Sequence, residues 1–528
     1  MAHPTADQRL ALLRRIGYLE GTSFLLLLGI AMPLKYLAGW PVAVQVIGLA
    51  HGLLFLAYVG LVLYLGKKRR WSWRKRGGAL VASVLPFGPF VADARLFQRD
   101  DADRRIRVAY FYYFANFRSD AFLRTLASAA EELTVFDYVL LRKVFRRGKI
   151  SHAKQQDHVA TITREAGSAR LRHFVCPAVS LGASSWRHGV SFALSTCLAA
   201  CFALASPFLL MGRRFTHVVF YNGHPLYEPA RAWARLLNLQ IVTDLGDVLY
   251  LLENPNRLSY AAEANFIQTS NRVICVSKPF KDWLNVHLKI PPDRISVLSA
   301  SLPEHFAAAF NAERNAARRL QLREGIGASE DDLVLTYAGG RWFRWVSGKG
   351  IIDVQGVDGL CNAIKQLNDE GITTHLVILG TPVDDPQLTP LVQGEWRHRF
   401  HLWGTYTPLD NRHTRALGGA DLLCIPSAGS QIYQLYDRFK MYEYLAAGKT
   451  PVVAEVAINR DVFGDDAVYF ADGDWRDMAR AIRAELSRSI VFNNEYNRRA
   501  REHYNWDRRV SAGDVHIALF GPDVVERY

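Results

Sequence analysis

Cysteine is scarce in this 528-residue chain, and no two of its six cysteines form a C-x-x-C pair. They are Cys176, Cys197, Cys201, Cys275, Cys361 and Cys424. Their scatter argues against a disulfide framework or a zinc site and is typical of a protein in a reducing compartment. Cys197 and Cys201 lie on one face of an apolar helical run, and we expect them to be buried thiols.

Acidic residues are also in the minority, with 50 Asp and Glu against 64 Lys and Arg and a net charge of +14. This balance suits an anionic partner, and nucleic acid, nucleotide phosphates and acidic lipids all qualify. Half of the residues are hydrophobic and 22% are charged, which excludes wholesale disorder. The length predicts two or three domains.

Long apolar runs are concentrated near the N-terminus. Residues 16–33 are apolar apart from Glu20 and a few small polar residues, and residues 42–66 carry no formal charge. Each run can span a membrane, which takes roughly 20 helical residues. No small-residue cleavage site follows the first run, so a signal peptide fits poorly. Residues 67–76 are basic and tryptophan-containing, and the positive-inside rule explains them better than nucleic-acid binding does.

The third apolar stretch, residues 77–92, is short and contains two prolines around Phe87 and Gly88. If residues 67–76 face the cytoplasm, a full third crossing would place everything after residue 98 outside. A re-entrant hairpin would instead return the chain to the cytoplasm, since broken backbone is tolerated at membrane depth where protein buries it. We expect the hairpin.

Four motifs in this region carry a resemblance. They are Glu20-Gly21-Thr22-Ser23, Met32-Pro33-Leu34-Lys35-Tyr36, His51-Gly52-Leu53-Leu54-Phe55 and Pro86-Phe87-Gly88-Pro89-Phe90. Residues 8–98 thereby resemble a small bacterial integral-membrane family of unknown function, which implies a three-segment membrane fold. Glu20 and His51 are then intramembrane polar groups that either act in function or pair with each other.

Beyond the charged linker at 100–107, strand-like runs alternate with helix-like stretches. The runs are 106–111, 133–141, 217–221, 240–243, 272–277, 333–338, 374–379, 400–404, 421–426 and 451–454. The alternation predicts the α/β class, with two Rossmann-like domains preceded by an α-helical transmembrane module. The expected division is a membrane module at 1–99, a first domain at 104–302, a connection at 303–330, a second domain at 331–492, and a helix with tail at 493–528 that crosses back.

Residues 190–211 form a further uncharged run that is long enough to span a membrane. Because the run lies between two strands of one sheet, a crossing would split the domain. It is either a helix or hairpin leaning into the bilayer surface or a buried core helix, and periodicity does not separate these.

Two clusters in the second half indicate phosphate chemistry. Gly339 and Gly340 follow a buried strand and precede Arg341, with Lys349 further on. Glycines let backbone amides approach phosphate oxygens, and Arg and Lys can neutralise a diphosphate. The glycine pair alone could equally be a tight turn.

The second cluster is a helix that places Lys440 and Glu443 on one face. A carboxylate here can accept hydrogen bonds from ribose hydroxyls, and the lysine can meet a phosphate. The alternative is a surface Lys–Glu pair. Another strand, 421–426, leads into a polar loop that begins at Ser427.

Together these segments resemble the retaining glycosyltransferases of the GT-B fold, particularly a large bacterial family of mannosyl- and glucosyltransferases. The resemblance covers residues 104–510 and is strongest at 415–455. It implies that Arg341, Lys349 and Lys440 contact phosphates, that Glu443 binds the ribose, and that Gly339, Gly340, Ser427 and Asp437 complete the donor site. On the acceptor side it implies Asn222, His224, Asp244 and Asp247. Arg341 and Lys440 would then stabilise the departing diphosphate.

The chain departs from this family at two positions. The family often has a glutamate where this chain has Leu435, with Asp437 as the nearest acidic substitute, and a histidine where it has Gly246. These departures leave open an alternative function, a catalytically weak membrane scaffold or nucleotide-sugar-binding protein.

The expected function is sugar transfer, with retention, from a nucleotide sugar to a lipid-linked or membrane-associated acceptor. Because no Asp-x-Asp pair lies where it would hold a divalent ion, we expect metal independence and no cofactor beyond the nucleotide-sugar co-substrate. The expected partners are the donor, membrane lipids and a lipid-linked acceptor, without nucleic acid. The expected location is the inner membrane, with the catalytic domains facing the cytoplasm.

Overall fold

The computed structural model describes residues 6–97, 106–113, 117–145, 150–166, 170–181, 185–210, 215–246, 257–340, 343–346, 350–486 and 492–521. Three of the expected site residues, Asp247, Arg341 and Lys349, lie outside these ranges. Along the chain, a helical module precedes two α/β domains.

The N-terminal module contains five α-helices. They are α1 Ala6–Leu26, α2 Met32–Leu37, α3 Val42–Lys68, α4 Trp73–Ala82 and α5 Gly88–Ala92. The π-helical turn Leu27–Ala31 joins α1 to α2, and a second π-helical turn, Asp93–Phe97, follows α5. Two stretches, Arg9–Leu37 and Val42–Lys68, are long and apolar enough to cross a membrane.

Helices α4 and α5 form a hairpin that returns to its starting point. Trp71, before α4, stacks on Phe97, after α5, with ring centroids 5.2 Å apart. A straight helix from residue 71 to residue 97 would separate these rings by roughly 39 Å at 1.5 Å per residue. The turn requires Gly88, because a Cβ there would collide with the carbonyl oxygen of Ala82. The segment therefore has the geometry of the expected hairpin.

Polar groups inside the module are paired across its helices. The buried Arg14 on α1 donates to Asp93, with Nη2 3.1 Å from Oδ2, and Asp93 also accepts from Tyr18 at 2.8 Å. Deeper in the module, the carboxylate of Glu20 lies 3.9 Å from the imidazole of His51. The structure thus places Glu20 and His51 side by side.

Within the described residues, the first α/β domain contains seven strands and seven α-helices. Its strands are β1 Arg107–Tyr112, β2 Glu132–Asp137, β3 Arg170–Val175, β4 His217–Tyr221, β5 Gln240–Leu245, β6 Arg272–Cys275 and β7 Ile295–Val297. Its helices are α6 Phe117–Ala129, α7 Val139–Phe145, α8 His152–Ala166, α9 Ser185–Leu210, α10 Glu228–Leu236, α11 Arg257–Gln268 and α12 Lys278–Leu288. All strand pairs are parallel, in the order β3-β2-β1-β4-β5-β6-β7. The carboxyl ends of parallel strands meet at one edge, where such sheets bind ligands.

One predicted strand of this domain was too long. The run 133–141 ends as a strand at Asp137, whose side chain accepts the backbone N–H of Val139 at 2.8 Å and so starts α7. Strands β3 and β7 were not predicted. Edge strand β3 carries arginines at 170 and 172, which hide its apolar pattern, and β7 has only three residues.

In the part of the second α/β domain that the structure describes, there are eight strands and eight α-helices. Its strands are β8 Leu333–Ala338, β9 Phe343–Val346, β10 Gly350–Asp353, β11 Thr374–Leu379, β12 Phe400–Gly404, β13 Leu422–Ile425, β14 Pro451–Ala454 and β15 Val468–Phe470. Its helices are α13 Glu304–Ala308, α14 Ala312–Ile326, α15 Val357–Asp369, α16 Asn411–Gly419, α17 Gln431–Leu435, α18 Phe439–Ala447, α19 Ala457–Phe463 and α20 Trp475–Ala484. Six strands form a parallel sheet, β12-β11-β8-β13-β14-β15, and β9 and β10 form an antiparallel pair. The predicted two Rossmann-like domains are confirmed.

Most of the expected connection 303–330 is a helix of the second domain. On α14, Arg323 pairs with Asp421 at 2.6 Å, and Asn315 donates to the carbonyl oxygen of Ala447 at 2.8 Å. Both partners belong to the second domain, so α14 packs as part of its outer layer.

The C-terminal segment returns to the first domain through three short helices. They are α21 Asn494–Glu502, α22 Trp506–Ser511 and α23 Asp514–Phe520. The single predicted helix is interrupted because Asn505 caps α22 with its side chain. Arg124 of the first domain pairs with Asp507 at 3.2 Å, and Arg272 donates to the carbonyl oxygen of Ala518 at 3.3 Å.

Candidate functional site

Helix α18 carries the charged pair predicted to hold the donor. It ends at Gly448, which adopts a left-handed conformation with φ of 62°. Lys440 and Glu443 are each only 7% exposed. The alternative of a surface Lys–Glu pair is therefore excluded.

Lys440 lies beneath the glycine turn that follows β8. Its ammonium donates to the Tyr337 hydroxyl at 3.0 Å and to Gln355 Oε1 at 2.9 Å. Tyr337 in turn donates to the carbonyl oxygen of Gly340 at 2.9 Å. A Cβ on Gly339 would lie 2.5 Å from the Lys440 ammonium, so a side chain is not accommodated there. The structure thus brings Gly339, Gly340 and Lys440 together.

The charge on Lys440 is poorly compensated. Burial, helped by the nearby Arg438, lowers the pKa of Lys440 to about 7, against the opposite influence of Glu443 and Asp353. Within the described ranges, no carboxylate lies at ion-pair distance from this ammonium. A bound anion would supply the missing counter-charge.

Glu443 faces a histidine that the sequence reasoning missed. The Nε2 atom of His413 lies 3.8 Å from the Glu443 carboxylate. His413 is fully buried on α16, and its Nδ1 accepts the backbone N–H of Leu409 at 3.1 Å. This bond assigns the proton to Nε2, which then points at Glu443. The ring of Tyr406 stacks on His413 with centroids 4.4 Å apart. No local motif marks His413, because its role depends on two elements meeting in space.

Ser427 and Asp437, which were also predicted to bind the donor, each form hydrogen bonds within the protein. Ser427 ends the segment after β13 and donates to Asp472 at 2.5 Å. Asp437 accepts from the backbone N–H of Ala300 at 2.6 Å and from the Tyr442 hydroxyl at 2.7 Å. Burial raises the pKa of Asp437 to about 6. Asp437 therefore ties the end of the first domain to the second, and its contact with the donor sugar stays a prediction.

The acceptor-side residues are joined to one another. Asp244, at the end of β5, is fully buried and pairs with Arg118, whose Nε lies 2.9 Å from Oδ2. Asn222 is left-handed with φ of 61°, and its N–H donates to the carbonyl oxygen of Asp244 at 2.7 Å. The Asp244 side chain is thus a support of this edge, held by Arg118, and a direct acceptor contact stays a prediction.

His224 follows β4 at the same edge of the first sheet. Its Nδ1 accepts the backbone N–H of Leu226 at 3.2 Å, and its ring lies 5.3 Å from that of Tyr113. Burial lowers the pKa of His224 to about 4, so the imidazole is neutral at pH 7. Its free nitrogen, Nε2, is available for hydrogen bonding rather than for charge pairing.

The structure shows what surrounds Leu435 and Gly246, the two positions where the chain departs from the family pattern. The carbonyl oxygen of Leu435 accepts the Ser277 hydroxyl, and its side chain packs in an apolar cluster between the domains. At Gly246 a Cβ would collide with the hydroxyl of Tyr221. That tyrosine therefore occupies the space a histidine would need.

Two family models match this chain. The model described as "Glycosyl transferases group 1" matches residues 346–488, and "Domain of unknown function (DUF3817)" matches residues 10–98. A curated relative, the uncharacterized membrane protein YdzA of Bacillus subtilis, is 43% identical over 84 residues, which are 16% of this chain and 88% of that protein. Residues 10–98 are thus a DUF3817 domain related to a curated membrane protein, and residues 346–488 are a glycosyl transferases group 1 domain.

Solved structures confirm the GT-B fold of this chain. A Rickettsia africae glycosyltransferase has a TM-score of 0.54 at 11% identity, covering 79% of this chain and 98% of that one. Anabaena Alr3699/HepE in complex with UDP-glucose gives 0.52 at 10%, covering 78% and 100%. Sucrose-phosphate synthase from Thermosynechococcus elongatus gives 0.54 at 14%, covering 79% and 99%. At these identities the likeness extends to the fold alone.

Proposed function

We propose that this protein transfers a sugar, with retention, from a nucleoside-diphosphate sugar to a lipid-linked acceptor at the cytoplasmic face of the inner membrane. The observation that carries the proposal is the buried Lys440 ammonium, which lies under the Gly339–Gly340 turn without a carboxylate partner among the described residues. The reported complexes of Alr3699/HepE with UDP and UDP-glucose support a nucleotide-sugar donor.

The chemistry follows from where charge develops. As the bond between the anomeric carbon and the diphosphate breaks, negative charge grows on the departing phosphate oxygens. Lys440 stabilises that charge from a fixed position with little reorganisation, and Arg341 is expected to assist. Glu443, oriented by His413, accepts hydrogen bonds from the ribose hydroxyls. No step requires a metal ion or a further cofactor.

The module's geometry supports a cytoplasmic catalytic region. Arg9 lies over the Tyr64 ring at 5.2 Å, and Trp71 stacks on Phe97, so the start of α1, the end of α3 and both ends of the hairpin share one level. The basic residues 67–76 belong to that level. Because the catalytic domains follow residue 97, the positive-inside rule places them with this basic loop in the cytoplasm.

Thiol labelling tests this topology. Single cysteines at Ala38 and Ser72, in a background without exposed cysteines, are probed with an impermeant thiol reagent on intact cells. We expect labelling at 38 alone. Labelling at 72 alone would invert the module and contradict cytoplasmic catalysis.

The function itself is tested with purified full-length protein in nanodiscs. Nucleotide sugars are screened for binding, hydrolysis and transfer to a bacterial lipid extract, with Lys440→Met as the inactive variant. Lys365→Met, a half-buried lysine on α15, is the matched control and should behave as wild type. Absence of donor binding and transfer across all nucleotide sugars would contradict the proposal.

A second candidate function is a nucleotide-sugar-binding scaffold. Leu435 favours it, because its packing between the domains leaves no carboxylate where related enzymes often have a glutamate. Donor binding in the screen without hydrolysis or transfer would support the scaffold.

A further inference from the structure

Helix α9 makes the long crossover from β3 to β4 and is fixed to the first domain. Its inner face carries small residues, all buried: Ser191, Ser195, Ala199, Ala203 and Ser206. The hydroxyls of Ser191 and Ser195 accept the backbone N–H groups of Leu181 and Val179, each at 2.9 Å. The Phe202 ring packs 5.1 Å from that of Tyr138. Although α9 is long and apolar enough to cross a membrane, it lies against the sheet.

The outer face of α9 is an exposed apolar stripe at helical spacing. This α9 stripe consists of Trp186, Val190, Leu194, Cys197, Cys201, Leu204 and Phe208. No charged residue occurs from residue 189 to residue 212. The expectation that Cys197 and Cys201 are buried was wrong, because both lie on the face of α9 that points away from the domain.

The α9 stripe is continuous with the membrane module. Phe87, at the tip of the α4–α5 hairpin, lies 6.3 Å from Phe208 and 5.3 Å from Trp233, measured between ring centroids. Arg95 donates to the carbonyl oxygen of Leu236 at 2.8 Å, which fixes the hairpin to α10. The hairpin exposes Val81, Val84 and Leu85 beside this contact.

We propose that the α9 stripe and the hairpin tip form one lipid-facing surface, with α9 lying in the plane of the bilayer. A contiguous exposed apolar face of seven residues is typical of an interaction site. Because the outer face of α9 carries no charge, it suits contact with lipid hydrocarbon. Its 26 residues span roughly 39 Å at 1.5 Å per residue. At the N-terminal end, Arg187 lies over the Trp186 ring at 5.3 Å, a pairing suited to the headgroup level.

This surface lies close to the acceptor side of the cleft. Ring contacts run from Phe202 to Tyr138 at 5.1 Å, from Tyr138 to Tyr227 at 5.4 Å, and from Tyr227 to His224 at 5.7 Å. His224 therefore lies three ring contacts from α9, a separation that suits an acceptor whose hydrocarbon stays in the bilayer. This consequence depends on the proposed function, whereas the lipid-facing surface does not.

The native Cys201 provides the test. In a Cys197→Ser protein, Cys201 is labelled with an environment-sensitive fluorophore, since the other four cysteines are buried. The full chain is placed in nanodiscs of phosphatidylethanolamine and phosphatidylglycerol. The matched control lacks both exposed cysteines and carries Leu320→Cys on α14, where the native side chain is 62% exposed.

We expect lipid-attached quenchers to quench the probe at Cys201 and aqueous iodide to quench the probe at position 320. Equal quenching by iodide at both positions would overturn the proposal. If neither quencher reaches Cys201 and it cross-links to Cys201 of another chain, a second copy covers the stripe and the proposal also fails. Because no donor or acceptor is needed, such failures would leave the proposed transfer reaction untouched.

Discussion

Two buried cations, one in each α/β domain, differ in how their charge is compensated. In the first, Arg118 and Asp244 neutralise each other, and both side chains are almost completely buried. In the second, Lys440 is buried, and among the described residues its ammonium has neutral hydrogen-bond partners, the Tyr337 hydroxyl and Gln355. Pairing offsets the desolvation cost of a buried charge, whereas a buried charge without a counter-charge is costly unless a ligand supplies one. The difference favours a structural role for the first pair and supports the binding role proposed for Lys440.

The two domains also differ in the exposed faces of their outer helices. In the second domain, α15 buries one side and carries Asp358, Lys365 and Asp369 on its less buried positions. In the first, the exposed side of α9 is apolar. Both helices cover a parallel sheet, so folding alone does not require an apolar outer face. The contrast points to a different environment outside the first domain.

Breaking the Arg118–Asp244 pair should give the largest effect. Arg118→Met leaves an unpaired carboxylate in the interior, and we expect a loss of about 3–5 kcal/mol in the stability of the first domain. The measurement is the urea midpoint of that domain's unfolding transition. The control is Arg107→Met, which loses a partly exposed pair with Glu131 and should cost under about 1 kcal/mol. Equal losses of stability in the two variants would contradict a special structural role for the Arg118–Asp244 pair.

Removing the Lys440 charge should impair catalysis rather than folding. For Lys440→Met we expect the transition state to lose roughly 2.7–4 kcal/mol, a fall of about 10²–10³-fold in turnover. Stability should not fall, because the variant no longer buries an uncompensated ammonium. The measurement is single-turnover transfer beside a thermal melt. If Lys440→Met were destabilised but kept normal turnover, Lys440 would have a structural role and not a catalytic one.

Much of the fold could be predicted because parallel strands buried on both faces read as continuous apolar runs. The predicted bounds of β8, β11, β12 and β14 agree with the structure to the residue. Strand β3 was missed because an edge strand tolerates charged residues, and β9 and β10 were missed because the pair is short.

The candidate site was predictable only in part. Two of its features are local patterns that can be seen in the sequence. One is a pair of glycines followed by a basic residue, and the other is Lys440 with Glu443 on one helix. His413, Gln355 and Arg118 act through partners distant in the chain, so no spacing reveals them. Likewise, burial of Lys440 could not be inferred from a charged residue at a helix start.

The proposed role of Lys440 predicts a pH dependence. With its pKa at about 7 in the free protein, the protonated form dominates only below that pH. A nucleoside diphosphate binds the protonated form, so affinity should fall above pH 7, by up to about tenfold per unit. In the unbound protein the sign is opposite. The unfolded chain holds this proton up to its ordinary pKa, so the contribution of Lys440 to stability rises between pH 7 and about 10.4.

Calorimetry with UDP in buffers of different ionisation enthalpy checks both statements. Proton uptake on binding should be measurable near pH 7 to 8 and absent in Lys440→Met. A wild-type affinity that does not change between pH 6 and 9 would contradict a direct contact between Lys440 and the diphosphate.

The smallest expected effect concerns His413, which positions Glu443. His413→Phe keeps the stacking on Tyr406 but removes the N–H that faces the carboxylate, and because that N–H lies 3.8 Å away, beyond hydrogen-bond distance, we expect donor affinity to weaken by less than about 1 kcal/mol. His413→Gln restores a donor near the Nε2 position and should recover part of the loss. In a Glu443→Gln background the His413→Phe effect should disappear, since the two residues act through one contact. A 2′-deoxy nucleotide should give the same disappearance. Full additivity of the two substitutions would mean that His413 contributes only to packing.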